Sequence, residues 1–159
     1  MVLLLLALTT AVFSGCKRDK CKRVVCMNGA CVDGTCECTA GWMGTDCGTM
    51  IKDQYIGSYT ATEECRAGSD HYPVTIAADG ASLTTVRLIG FWGVTGDTIV
   101  ADLGADGLQG TIARQPLGNY EVDGSWISND LHDEINVTFF VVEQGSIPLD
   151  QCTATFTKD

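Results

Sequence analysis

The chain has 159 residues, of which ten are basic and twenty are acidic, so its net charge is −10 at neutral pH. So acidic a protein repels polyanions, and we expect no nucleic-acid partner. Nine cysteines in a chain of this length indicate an oxidising compartment.

The chain opens with an apolar run at residues 2–13. A membrane-spanning helix needs about 20 apolar residues, so this run is too short to span a bilayer. Its length suits the hydrophobic region of a signal peptide. We therefore predict that residues 1–15 are a signal peptide.

Residues 13–16 read Phe-Ser-Gly-Cys, which resembles the lipobox of bacterial lipoproteins. The resemblance implies that Cys16 is lipidated, begins the mature chain and anchors it to a membrane of the cell envelope, with the outer membrane expected and its face left open. The alternative is an ordinary signal peptide with Cys16 unmodified. Residues 16–20 then form a basic tether, which either adds about 1 kcal/mol of attraction to anionic head groups per basic residue or serves only as a solvated linker.

Residues 21–48 form a dense cysteine cluster that is too short to bury a stabilising core. Three disulfides would replace that core, each contributing about 2–4 kcal/mol. Zinc is the alternative, but the segment has no histidine and six thiols do not suit one four-coordinate site. Spacing alone leaves roughly 15 pairings open.

This cluster resembles an EGF-like module in three features: Cys36-Glu-Cys38, the run Gly41-Trp42-Met-Gly44 and the eight-residue gap before Cys47. Basic residues stand where calcium-binding members of that family carry acidic ones, so we expect no metal here. The resemblance implies three disulfides: Cys21–Cys31, Cys26–Cys36 and Cys38–Cys47.

Residues 51–159 form a second domain with a β pattern throughout. Cys65 ends the first predicted strand and Cys152 begins the last, and a Cys65–Cys152 disulfide would close a meander into a barrel without exposed edges. The fold class is therefore all-β, an eight-stranded antiparallel meander barrel after the EGF-like module, with a β-sandwich as the alternative. No stretch of this domain shows convincing helical periodicity. The eight predicted strands lie near residues 56–65, 72–78, 82–89, 97–103, 107–114, 120–127, 134–142 and 150–157.

This domain begins with Gly57-Ser-Tyr59, where lipocalins have Gly-x-Trp, and ends with the segment Gln151 to Lys158. These two segments resemble the calycin-like or lipocalin-like β-domains of Bacteroidetes lipoproteins. That resemblance implies a calycin-like fold and secretion from the cytoplasm. It implies no particular ligand.

Catalytic residues are not evident in the sequence. His71 and His132 are the only histidines, and both are predicted to lie in exposed loops without a nucleophile beside them. Asp97, Asp102 and Asp106 do not have the spacing of an EF-hand loop. We expect a protein that is not an enzyme and that has no cofactor.

The pair Phe91-Trp92, flanked by glycines, is the one suggestive loop feature. Aromatic residues on such a loop can contact a ligand, for example a sugar, or can simply plug the end of a barrel. Two functions therefore compete: a lipid-anchored envelope protein that binds an unknown protein or glycan, and a lipocalin-like carrier of a small apolar ligand. A barrel filled by its own side chains favours the first, and a large apolar cavity favours the second.

Overall fold

A computed structural model describes residues 19–143 and 148–159. The predicted signal peptide at residues 1–15 and the predicted lipidation site Cys16 lie outside these ranges. The described part of the chain is nearly all β and consists of a disulfide-rich module followed by a closed barrel. The predicted fold class is confirmed.

The disulfide-rich module is built from two short hairpins. Strand β1 (Gly29–Val32) pairs with β2 (Thr35–Cys38), and β3 (Trp42–Met43) pairs with β4 (Thr49–Met50). Asp33 and Gly34 turn the first hairpin with φ of 52° and 94°, the left-handed geometry of a two-residue turn. All six cysteines are paired as the EGF-like resemblance implies, which leaves no thiolate for zinc: Cys21–Cys31, Cys26–Cys36 and Cys38–Cys47.

Eight antiparallel strands form the barrel, each paired with the next along the chain. The last strand pairs with the first, so the sheet closes and the sandwich alternative is wrong. All eight predicted strands are present, with shifted ends. They are β5 (Gly57–Cys65), β6 (Gly68–Ala78), β7 (Thr85–Ile89), β8 (Thr98–Leu103), β9 (Gln109–Leu117), β10 (Tyr120–Ser128), β11 (Glu134–Glu143) and β12 (Pro148–Lys158).

The seam between β5 and β12 carries the fourth disulfide. Cys65 lies directly opposite Cys152 in the register, and the two are bonded. The bridge joins residues 87 positions apart, and restricting so long a loop in the unfolded chain is worth roughly 4–5 kcal/mol in the chain-entropy treatment.

Every second side chain of the barrel strands points inward and fills the interior, because successive side chains of a β-strand point to opposite faces. Inward residues of β11 and β12 are buried while their neighbours face solvent. The largest fully buried side chains in the barrel include four aromatic residues of its strands and loops, which leave the middle of the barrel filled: Tyr59, Phe91, Phe139 and Phe156.

A five-residue helix, α1 (Ile51–Tyr55), covers one end of the barrel, which we call the α1 end. The sequence shows no convincing helical periodicity over these five residues. Tyr55 is fully buried, and its hydroxyl donates a hydrogen bond to the carbonyl of Gly107. The helix also joins the module to the barrel, since the Ile51 amide donates to the Gly41 carbonyl at 2.9 Å and Lys52 Nζ donates to the Ser82 carbonyl at 2.6 Å.

Strands β8 and β9 form the least regular pair. Only Asp102 and Leu103 of β8 have partners in the β9 register. Beyond them the side chain of Gln115 takes the place of a backbone partner: its amide accepts from the Val100 N–H and donates to the Val100 carbonyl, both at 2.7 Å. One side chain therefore continues the hydrogen bonding of the sheet across this gap.

Candidate functional site

The predicted aromatic pair lies in a 3-10 turn, Phe91–Gly93, at the end opposite α1, which we call the Phe91 end. Phe91 has no exposed surface, and its ring centroid lies 4.8 Å from that of Phe139 and 6.1 Å from that of Phe156. Phe91 thus plugs the barrel end from within. Trp92 is half-buried and packs edge-on against Tyr120 at 5.1 Å, so within this pair only Trp92 presents surface to a ligand.

A buried carboxyl group lies near this plug, and the sequence analysis did not identify it. Glu63 is on the inward face of β5 and is only 4% exposed. The Tyr72 hydroxyl on β6 donates a hydrogen bond to its carboxylate. Burial raises the pKa of Glu63, and the hydrogen bonds from Tyr72 and the Trp92 indole counter part of that rise. Burial and the Glu63 carboxylate together raise the pKa of Tyr72.

The side-chain parity of β5 was the available signal for this site. Glu63 is two residues from Ala61 and two from Cys65, so in an extended strand all three side chains point to the same face. Glu64, the next residue along the strand, points to the opposite face and is exposed. The sequence alone could therefore have placed the Glu63 side chain in the barrel interior.

The seam disulfide also lies beside this carboxyl group. Glu63 Oε1 lies 3.1 Å from Cys65 Sγ, and the acid oxygen and both sulfurs lie within 4.8 Å of one another. Cys65 is half-buried, whereas Cys152 has no exposed surface. Because the two sulfurs are bonded to each other, they cannot act as thiolate ligands for a metal in this oxidised state.

The two histidines differ in burial. His71 is exposed, as predicted, and its Nδ1 lies 3.2 Å from Thr62 Oγ1. The prediction for His132 was wrong: this side chain is 4% exposed and packs edge-on against the Tyr55 ring at 4.9 Å. Burial lowers the pKa of His132, and the positive charge of Lys158 lowers it further.

A serine accompanies the buried histidine, with Ser128 Oγ 3.4 Å from His132 Nδ1. A nucleophilic pair needs a third group that orients the base and an open approach for substrate. Here Ser128 is 6% exposed, and its hydroxyl is also placed to donate to the backbone carbonyls of Asn129 and Glu134, at 3.1 and 3.4 Å. The nearby Asp133 bonds to Asn129 at 2.6 Å. These contacts are those of a brace for the β10–β11 turn.

The three aspartates considered as cation ligands do not share one site. Asp97 accepts the Gly118 N–H at 2.8 Å at the Phe91 end. Asp106 accepts the Leu108 N–H at 3.0 Å at the α1 end, and its backbone hydrogen bonds lower its pKa. Each therefore caps a turn at a different end of the barrel, with Asp102 in β8 between them.

The outer face of β5, β12 and β11 carries two adjoining depressions that share Glu64 and Thr153. Phe140, at 36% exposure, and Arg66 lie at one end of them, and hydroxyl and amide side chains line the other. This face offers hydrogen-bonding groups to a partner without any change in the barrel interior.

Comparison with known proteins adds no assignment, since no protein-family model and no curated protein matches the chain.

Proposed function

We propose that this protein is a lipid-anchored binding protein of the cell envelope that contacts its partner through its outer surface and performs no catalysis. The observation that carries the proposal is the filled barrel. Phe91, Phe139 and Phe156 meet edge to face in its middle, where a carrier of the lipocalin type would hold its ligand.

The disulfides support the envelope location. Eight cysteines of the described residues form four bridges, a density typical of proteins in oxidising compartments. Only Cys16 among the nine cysteines is left for lipidation, in agreement with its lipobox-like context. None of the helices in the described ranges is long and apolar enough to cross a bilayer.

The module would hold the barrel at a fixed orientation to the tether. Its Gly41 packs so closely against Leu83 of the β6–β7 loop that a Cβ atom there would lie 2.7 Å from Leu83 Cβ. Met43 packs against the barrel core. Together with the hydrogen bonds of α1, these contacts support a docked spacer rather than a free linker.

The carrier function remains the second candidate, because an eight-stranded barrel is compatible with lipocalin-like binding. Phe91 would have to leave the interior to make room. Its turn is flanked by Gly90 and Gly93, which have φ values of 80° and 67°. Because glycine changes φ at low cost, such a movement would begin in this turn. The unknown partner in the first function is a protein or a glycan, and the net charge of −10 disfavours a nucleic acid.

Lipidation is tested by expressing the full chain in a Gram-negative host fed with a clickable fatty acid. We expect the label in the wild type and its loss in Cys16→Ser, with membrane association lost in parallel. Replacement of Ser14 by Thr, upstream of the cysteine, is the matched control and should keep the label. An unlabelled wild-type protein released after cleavage elsewhere would refute the anchor.

Native mass spectrometry of the unlipidated Cys16→Ser variant separates the two functions. A bare mass, eight hydrogens below the fully reduced value because of four bridges, is expected for the binding protein. An added mass that is lost on denaturation and is neither buffer nor detergent would instead establish the carrier.

A further inference from the structure

A buried acid beside a disulfide calls for a physical explanation. Burying a carboxyl group costs free energy that hydrogen bonds only partly return. The inward neighbour Ala61 shows that a small apolar side chain fits this strand of the barrel. Glu63 nevertheless occupies the next inward position, with Tyr72 as its partner and a sulfur atom 3.1 Å away.

The two sulfurs of the seam differ in accessibility. Cys65 borders an open surface depression that is also lined by Arg66 and Asp150. Cys152 is fully buried. Cys65 is therefore the more exposed half of the bridge, and its sulfur is the one next to Glu63.

We propose that the Cys65–Cys152 bridge undergoes thiol–disulfide exchange with small aliphatic thiols and disulfides, and that Glu63 carries the proton of the reacting sulfur. The register holds the two cysteines opposite each other when the bridge is open, because Thr153 and Ala154 of β12 still pair with Glu64 and Glu63 of β5. Reduction then opens a covalent lock on the seam without separating its strands.

Bridge formation proceeds in two balanced steps. The Glu63 carboxylate takes the proton of the Cys65 thiol, and the thiolate attacks the small disulfide RSSR to form a Cys65–SR mixed disulfide. The leaving thiolate RS⁻ takes the proton back from Glu63 as RSH. The Cys152 thiol then passes its proton to Glu63 and attacks the Cys65 sulfur, which releases a second RS⁻ that is protonated in turn. Two electrons pass from the cysteines to the reagent, and reduction by two thiols follows the reverse path.

The surroundings of Glu63 suit this proton transfer. Asp70 of β6 and Asp150 of β12 add negative charge near it, and both act with burial to raise the pKa of Glu63 above 4.5. Tyr72 and Trp92 donate hydrogen bonds that limit the rise. A proton carrier works best when its pKa lies near the working pH.

The test measures exchange of this one bridge in the full chain, in glutathione buffers under native conditions. Free thiols are alkylated at intervals, and the peptides containing Cys65 and Cys152 are quantified by mass spectrometry. Glu63→Gln should slow exchange at least tenfold, since positioned acid–base groups typically contribute about 10²- to 10⁴-fold. Glu134→Gln removes the same charge from an exposed position at the α1 end of the barrel, outside both depressions, and should leave the rate unchanged.

The wild-type pH profile and a second variant keep the test independent of folding defects. The exchange rate of the wild type should show an inflection between pH 4.5 and the thiol ionisation near about 8.5. Glu63→Asp retains the acid one methylene further away and should give an intermediate rate. Equal rates for Glu63→Gln and Glu134→Gln, a profile that follows thiol ionisation alone, or exchange only upon global unfolding would each overturn the proposal.

Discussion

Replacing Phe91 by alanine tests whether the barrel interior is filled by its own side chains. Phe91 has no exposed surface and contacts two further aromatic rings. Truncating such a phenylalanine removes its transfer free energy and leaves a cavity, at a cost of about 3–5 kcal/mol. A domain of this size has roughly 5–15 kcal/mol of stability, so the variant should fold but be clearly weakened.

The assay is guanidinium unfolding followed by tryptophan fluorescence, with all bridges oxidised. We expect a lower midpoint with an unchanged slope, since the surface exposed on unfolding barely changes. Benzene should stabilise Phe91→Ala but not the wild type, because an apolar cavity of this kind stays dry and accepts such a ligand. Ile127→Ala is the control, because Ile127 is 65% exposed and its loss should change little.

Two results would refute this account. A loss below about 1 kcal/mol would mean that the Phe91 ring does not occupy a close-packed interior. Stabilisation of the wild type by benzene would mean that space already exists in the barrel, and the carrier function would then become the better proposal.

Three further predictions concern the rest of the fold. The pKa of His132 is lowered from 6.5 in the folded protein, so the unfolded chain binds more protons than the folded chain as the pH falls. The free energy of unfolding should therefore be at its full value above pH 6.5 and decline below it. His132→Asn should flatten that decline in urea titrations at several pH values. Gly110→Ala should destabilise the protein by about 1–3 kcal/mol or more in thermal unfolding, since its Cβ would lie 2.2 Å from the Trp126 ring. Gln115→Ala should cost about 1–3 kcal/mol and accelerate amide hydrogen exchange at Val100, whose N–H and carbonyl lose their partner.

Matched substitutions identify the cause in each case. His71→Asn changes an exposed histidine and should leave the acid decline as it is. Gly80→Asn, at a φ of 55° that asparagine tolerates and with open space around it, should be nearly neutral. Gln109→Ala removes an exposed glutamine of the same strand and should not affect exchange at Val100. Equal effects of a variant and its control would contradict the assigned contact.

The strands could be predicted because alternation is a strong local signal. Residues of β11 such as Val137 and Phe139 recur at every second position, and their burial follows directly. The disulfide across the seam also followed from the position of Cys65 at the end of the first predicted strand and of Cys152 at the start of the last. These features depend on residues near in sequence or on covalent pairing.

The missed features depend on three-dimensional closure. Helix α1 has five residues, fewer than two turns, so no helical period can show in the sequence. His132 stands among acidic residues and appears exposed, but the β10–β11 turn folds over the barrel end and takes a φ of 55° at that residue. Its burial results from neighbours such as Tyr55 that lie far away in the chain.

The pairing of the first and last strands also means that the barrel cannot close until the last strand has been synthesised. Strand β12 follows β5 by nearly the whole length of the domain, so the growing chain exposes two unpaired sheet edges until β12 is synthesised. Contacts so distant in sequence form slowly. Truncation before β12 would therefore leave an open sheet that is prone to aggregate.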